Sequence, residues 1–335
     1  MTVKIGVTGT GAIGREHVFR LSRKIPGAQV VALNDVNISS CESINSDFDL
    51  DAKIFTDGHE LIKSDSVDAI VVASWGPTHE EFVNSAISAG KFVFCEKPLA
   101  VTAEGCRQII DAELTGGKRL VQVGFMRRYD QAYQQLKKCL QDNTIGHPII
   151  LNCAHRAPHA PGFGGDMAIT DSLVHEFDVL RWLLDDDYVA AQVILPRKTS
   201  LCDEGLQDPH IVQLRTRQGI HISIESFVNA HYGYDIQCQV VGEKGVAALP
   251  EPASVQLREL GKLSHEILID WKDRFVAAFD QEFRDWIQSI KTGKAEGPSA
   301  WDGYVVAVTA DACVKAKHSG QFENIDLPPR PDFYQ

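Results

Sequence analysis

Positive charge is in short supply in this chain of 335 residues. Its 33 Lys and Arg face 45 Asp and Glu, a formal net charge of −12 with His neutral. A nucleic-acid or anionic-membrane partner calls for a basic face, so neither is expected. Long apolar runs are also missing. None approaches the roughly 20 residues of a membrane span, and Gly6, Gly9 and Gly11 punctuate the N-terminus where a signal peptide would be apolar. With strand character starting almost at Met1, the expected location is the cytoplasm. There is no low-complexity tract and no internal repeat. The eight cysteines, at 41, 95, 106, 139, 153, 202, 238 and 313, include no C-x-x-C pair. That excludes a disulfide framework and a zinc knuckle, and the thiols read as free and mostly buried. What remains is a globular composition, 44% apolar and 23% charged, long enough for two domains.

What is present is concentrated first near the N-terminus. Gly9-Thr10-Gly11-Ala12-Ile13-Gly14 follows a β-type run at 3–8 and opens a helical pattern from 12 to about 22. A second apolar run, 29–34, ends on Asp35. Three such glycines alone are a weak signal. Strand, glycines, helix, strand and an acid about 20 residues on, all in order, indicate a dinucleotide-binding βαβ unit. Gly9 permits the tight turn, Gly11 lets the backbone approach a pyrophosphate, and Gly14 lets helix and strand pack closely. The first-turn N–H groups around Ala12 and Ile13 carry the positive end of the helix dipole toward the phosphates. Asp35 suits a ribose 2′-hydroxyl and repels a 2′-phosphate. Asn34, Val36 and Asn37 supply no cation, so NAD is expected over NADP.

Four more apolar runs follow, at 53–55, 69–73, 92–95 and 120–123, alternating with helical patterns such as 78–89 and 102–114. This predicts an N-terminal Rossmann domain, a doubly wound parallel sheet, over 1–125. From Pro148 the runs lengthen and partly alternate, at 149–154, 190–195, 211–216, 220–228 and 236–241, with helices at 168–184, 271–290 and 301–317. A C-terminal α+β domain with a mostly antiparallel open sheet is therefore predicted over 126–335, with substrate between the domains.

Glu96-Lys97-Pro98 ends the fifth run, beyond the carboxyl end of a central strand, where open α/β sheets bind ligands. From position alone a site lysine and a solvated one are equally open. The bond to Pro98 is a candidate cis peptide. Ser74-Trp75-Gly76-Pro77-Thr78-His79 follows the fourth strand and is expected to meet the cofactor, although His79 also suits a helix start. Within 168–184, Asp171 and His175 stand four apart, on one face of a helix. A carboxylate there can fix the tautomer of a general-base imidazole, but a plain surface pair fits the same spacing. Asp178 either orients the ring from its other side or is solvated, and it stays outside the catalytic set. His155 and His159 with His175 and Asp171 raise a zinc alternative. That pair spans a Pro-interrupted loop and no cysteine supports it, so no metal is expected.

Gly9-x-Gly11-x-x-Gly14, Glu96-Lys97-Pro98 and Asp171-x-x-x-His175 together resemble the Gfo/Idh/MocA oxidoreductases. The strings 74–77, 94–100, 121–130, 232–238 and 300–304 extend the resemblance over nearly the whole chain, toward the inositol-oxidising branch of that family. The resemblance implies NAD-dependent oxidation of a secondary ring alcohol of myo-inositol to the 2-ketone. Lys97 would hydrogen-bond the reacting hydroxyl, and Asp171 with His175 would handle its proton. Met126, Arg127, His155 and Tyr234 would hold the rest of the polyol. Ser74, Trp75, His79 and Glu96 would line the cofactor. A homotetramer through the open face of the C-terminal sheet is implied as well. One departure stands out: Ala157 replaces an Asn usual after His-Arg in the inositol enzymes, and the loop at 158–166 differs too, which opens the choice of stereoisomer. A sugar dehydrogenase, a glycosidase using transient oxidation, and a dinucleotide-sensing regulator are the competing readings.

Overall fold

The apolar runs of the first 125 residues become β1 (Val3–Thr8), β2 (Ala28–Asn34), β3 (Lys53–Phe55), β4 (Ala69–Val72), β5 (Phe92–Cys95) and β6 (Val121–Val123). They pair in the order β3-β2-β1-β4-β5-β6, every pair parallel. All residues of β4 and β5 are buried, as strands covered on both faces must be. Between them run α1 (Ala12–Arg23), α2 (Ile38–Asp47), α3 (Gly58–Lys63), α4 (His79–Ser88) and α5 (Ala103–Gly116). Local chemistry sets the ends. Thr102 Oγ1 accepts from Gly105 N–H at 3.0 Å to start α5, and Gly117, at φ 66°, closes it in the left-handed region. The strand order reverses direction at β1 and β4, the switch point at which such sheets bind ligands. The computed structural model describes residues 2–160, 162–252 and 254–335; Met1, Ala253 and Pro161 of the 158–166 loop lie outside it.

The chain continues through α6 (Gln131–Gln141), β7 (Pro148–Arg156), α7 (Val174–Leu184), β8 (Tyr188–Ile194), β9 (His210–Thr216), β10 (His221–Phe227), β11 (Asp235–Gly242) and β12 (Val246–Ala248). Then come β13 (Gln256–Glu259), β14 (Lys262–His265), α8 (Trp271–Thr292), α9 (Ala300–Ser319) and β15 (Glu323–Asn324). The second sheet runs β12-β11-β7-β10-β9-β8-β15. Only β7 and β10 pair in parallel within it. Burial alternates residue by residue along β10, the mark of a sheet with one covered face.

The structure divides into two compact units, and it corrects the expected single cut. The first holds the residues up to Phe125 together with Phe279–Ala307 and Pro328–Gln335; the second holds Met126–Ala278 and Val308–Leu327. The returning segments are anchored by side chains that periodicity does not distinguish. Phe283 and Trp286 pack on Phe94, with ring centroids 4.4 and 5.9 Å away. The carbonyl of Pro298 accepts from Val123 N–H at 2.9 Å, and the Tyr334 hydroxyl donates to buried Glu113 at 2.6 Å. All eight cysteines are free. Among the described residues no helix is long and apolar enough to cross a membrane.

Candidate active site

The glycine loop can be tested by the space around each glycine. Gly9 sits at φ +90°, and a Cβ there would lie 2.3 Å from Ser74 N and 2.4 Å from the Ala73 carbonyl. A Cβ on Gly14 would lie 2.0 Å from Gly9 O. Both positions are closed to any side chain by the chain itself. A Cβ on Gly11 would meet nothing within 4 Å, so the side of the loop at the head of α1 is open to a ligand. Gly11 is the N-cap of α1, and the exposed Ala12 begins its first turn. Backbone donors there suit a pyrophosphate. Asp35, half-buried beyond β2, is held against this loop. Its Oδ2 accepts from Thr10 N–H at 2.6 Å and from Thr10 Oγ1 at 3.0 Å, and its Oδ1 from Asn37 N–H at 2.8 Å. Val36 beside it is fully exposed. The residues present therefore fit NAD. Thr10, which pattern reasoning passed over, is what aims the acid.

The turn after β5 is clamped from two sides. The Lys97-Pro98 bond is cis, and Lys97 is half-buried. His79 is buried, with Nδ1 2.7 Å from the Pro98 carbonyl and Nε2 3.0 Å from the Ser74 carbonyl. Both ring nitrogens are thus engaged by backbone. His79 stands at the start of α4, the other position its place in the sequence suited, and ties the Ser74 loop to the lysine turn. Glu96, also expected there, is buried too: Oε1 lies 2.6 Å from His17 Nε2, and Oε2 accepts from Lys97 N–H at 3.1 Å. Burial alone would raise its carboxyl, but the His17 hydrogen bond and the Lys97 charge outweigh that and hold it below the usual carboxylate range. Trp75 is 77% exposed, and Ser74 Oγ pairs with Thr78 Oγ1 at 2.7 Å.

In the second unit two of the expected substrate residues, Arg127 and His155, meet on one carboxylate that the sequence reading missed, Glu176. It is buried on α7 and receives Arg127 Nη1 on one oxygen and His155 Nδ1, at 2.8 Å, on the other. Arg127 Nη2 lies 3.4 Å from the same His155 nitrogen. The shorter contact decides: Nδ1–H donates to Glu176, which makes Nε2 the acceptor nitrogen of the ring. Burial would raise the Glu176 carboxyl, but Arg127 and then His155 outweigh it and hold it low. Burial also works against the Arg127 charge, which Glu176 restores. Tyr234 stands edge-on to His155 at 6.0 Å and to Phe275 at 6.3 Å, and burial raises its phenol. Met126 is buried in the turn Met126–Tyr129. A strand period places the next residue of β7 on the other face. Arg156 there reaches Glu225 at 2.6 and 2.7 Å and Asp235 at 2.9 Å.

Asp171 and His175 do not share one regular helix. A π turn spans Ala168–Ser172, Leu173 follows, and α7 starts at Val174. Such π turns widen the helix locally and recur at functional positions. Asp178 is not solvated. It is buried and takes Arg128 on both oxygens, Nε at 2.8 Å. His159 pairs through Nδ1 with Asn229 Oδ1 at 2.9 Å, apart from the His155 contacts. Among the described residues no three His, Cys, Asp or Glu side chains are grouped to hold a metal. A charged residue between His175 and Phe177 on an apolar stretch was the one signal for Glu176.

A dinucleotide loop, a clamped lysine turn and a buried polar cluster on a half-open sheet define an oxidoreductase of two-part architecture. Residues 3–125 match the oxidoreductase family's NAD-binding Rossmann fold and residues 137–327 its C-terminal α/β domain, so the chain belongs to the Gfo/Idh/MocA family. Among its relatives are the inositol 2-dehydrogenases of Serratia proteamaculans and Azotobacter vinelandii. Each is 58% identical over 335 residues, covering 100% of this chain and 99% of the relative. The myo-inositol dehydrogenase of Lactobacillus casei, solved in complex with NAD(H) and myo-inositol, is 40% identical, with a TM-score of 0.97 and 100% of both chains covered.

Proposed function

We propose that this chain is an NAD-dependent inositol 2-dehydrogenase that oxidises a secondary ring alcohol of myo-inositol to the ketone. The observation that carries the reading is the end-to-end likeness to the Lactobacillus casei enzyme, whose structure holds NAD(H) and myo-inositol. The Gly9–Gly14 loop and Asp35 would hold NAD, which when bound would supply the acceptor for the hydride of the carbinol carbon. His175 takes the hydroxyl proton, and Asp171 steadies the imidazolium that results. Lys97 donates to the reacting oxygen as its negative charge develops, the position at which a charged donor contributes most. His155 Nε2 accepts from a further ring hydroxyl because Glu176 occupies Nδ1. Arg127 and Tyr234 hold the polyol from the same cluster, with Met126 against its apolar ring face.

The enzyme is further proposed to be a cytoplasmic homotetramer. The open face of the second sheet carries Asn152, Arg156, Ser223, Glu225, Gln237 and Gln239, a polar surface suited to a second copy. Sedimentation at a mass four times the 37.0 kDa chain checks the assembly. For the activity, a panel of inositols and hexoses is assayed for steady NADH formation. Turnover with myo-inositol is expected. Turnover with hexoses alone would replace inositol by a sugar; a single-turnover burst with no net NADH would favour a glycosidase; no NADH from any polyol would favour a sensor.

A further inference from the structure

A buried chain of side chains in the first unit has no part in the reaction as just described. Arg20 Nε donates to Asp280 Oδ1 at 2.7 Å, and Arg20 Nη1 donates to His17 Nδ1 at 3.2 Å. His17 Nε2 then donates to Glu96 Oε1 at 2.6 Å, and Glu96 Oε2 accepts from the main-chain N–H of Lys97 at 3.1 Å. Every proton in this chain has a fixed direction. A guanidinium has no lone pair to offer, so Nδ1 of His17 must accept, and the one ring proton sits on Nε2. The carboxylate then accepts on both oxygens.

The surroundings hold that arrangement. His17 is 0% exposed and Glu96 6%. The His17 ring lies among Phe94, Phe279 and Phe283, with centroids 5.7, 5.8 and 4.8 Å away. Arg20 is fixed in turn by the Glu16 carbonyl at 3.2 Å and lies 5.0 Å from the Phe279 ring centre. Gly124 leaves room for the acid, since a Cβ there would come 3.2 Å from Glu96 Oε1. Buried ionic chains gain little stability over apolar side chains of the same volume. What this one ends on is the Glu96–Lys97 peptide, from which the lysine side chain springs.

We propose that His17 is a positioning residue for Lys97, acting through Glu96, with Arg20 and Asp280 setting its tautomer. The proposal rests on the reading that Lys97 donates to the reacting oxygen. Small misplacements of such a group are costly to rate. His17→Phe, which removes the donor to Glu96, is expected to lower kcat about tenfold or more. NAD affinity, measured by calorimetry on the cofactor-free protein, should change less than about threefold. His17→Gln keeps an N–H for Glu96 and an acceptor for Arg20, and is expected to stay within about threefold of wild-type kcat.

The deciding measurement is the double-mutant cycle with Lys97→Met. If His17 acts through the lysine, His17→Phe costs nothing further in that background. A loss that persists undiminished beside Lys97→Met would overturn the proposal and leave His17 a merely structural residue. So would a folded His17→Gln, with wild-type thermal stability, that is as slow as His17→Phe. If Lys97→Met alone turned over like wild type, the assignment of Lys97 itself would fall, and this proposal with it.

Discussion

Each unit buries a histidine against a carboxylate, and the two do it in opposite senses. In the first unit His17 accepts at Nδ1 from Arg20 and donates from Nε2 to Glu96, whose other oxygen holds a main-chain amide. In the second, His155 donates from Nδ1 to Glu176, which also neutralises Arg127. The first network therefore ends on backbone and fixes a turn. The second places its proton on Nδ1 and leaves Nε2 of His155 as the acceptor, which the proposed function assigns to a polyol hydroxyl. A buried ion cluster can thus serve geometry in one place and recognition in the other, and the difference lies in which ring nitrogen carries the proton.

The largest expected effect belongs to the second unit. His175→Ala should lower kcat by ~10²–10⁴-fold, the usual cost of losing a general base, while NAD affinity stays near wild type. Unchanged turnover would remove His175 from the chemistry. Next comes Glu176→Gln, which leaves the Arg127 charge buried without its counter-charge. Breaking a buried pair in this way costs about 3–5 kcal/mol, readable as a lower urea midpoint, and KM for the polyol should rise as His155 loses its orientation. A variant as stable as wild type would show that the cluster is better solvated than its burial indicates.

Asp35→Ser addresses the first unit and should move cofactor parameters only. Removing the carboxylate relieves repulsion of a 2′-phosphate and forfeits a charge-assisted hydrogen bond to the 2′-hydroxyl, so NADP should gain and NAD lose. The ratio of kcat/KM for the two cofactors is the readout; a ratio that does not move would show that Asp35 serves only the loop and turn it holds, through Thr10 and Asn37.

Acid stability gives the smallest and finest contrast. Burial lowers the His17 imidazole below its ordinary value of 6.5. The unfolded chain then binds its proton first as pH falls, so this contribution is complete above 6.5 and is lost below it. The Glu176 carboxyl is lowered from 4.5, so its contribution is lost only at lower pH, as pH falls from 4.5 through the folded value. His17→Gln should therefore flatten the urea-midpoint slope just below pH 6.5, by at most about 1.4 kcal/mol per pH unit. Glu176→Gln should leave that interval unchanged.

Much of the first unit was legible because its strands are buried on both faces and read as unbroken apolar runs bounded by glycine and helix signals. The expected roles of Gly9, Gly11 and Gly14 follow from one motif; the structure adds that Gly9 and Gly14 are closed to a side chain while Gly11 faces open space. What could not be read depends on partners distant in sequence. Nothing in 279–307 or 328–335 announces that Phe283, Trp286 and Tyr334 return to the first unit. Periodicity shows that residue 176 lies on a helix, but only the approach of Arg127 and His155 makes it a hub. That His79 ties two loops together could not be read, because its two carbonyl partners, on Ser74 and Pro98, stand 5 and 19 residues away. The π turn at Ala168–Ser172 has no pattern of its own, and β13 and β14 carry no apolar alternation to betray a hairpin.

Opposite proton placement on the two buried histidines is the claim on which the rest hangs, and neutron diffraction from deuterated, cofactor-free crystals observes it directly. Density for deuterium is expected on Nε2 but not Nδ1 of His17, and on Nδ1 of His155 toward Glu176. Deuterium on Nδ1 of His17, or a His155 whose Nδ1 is bare, would contradict the account of both networks.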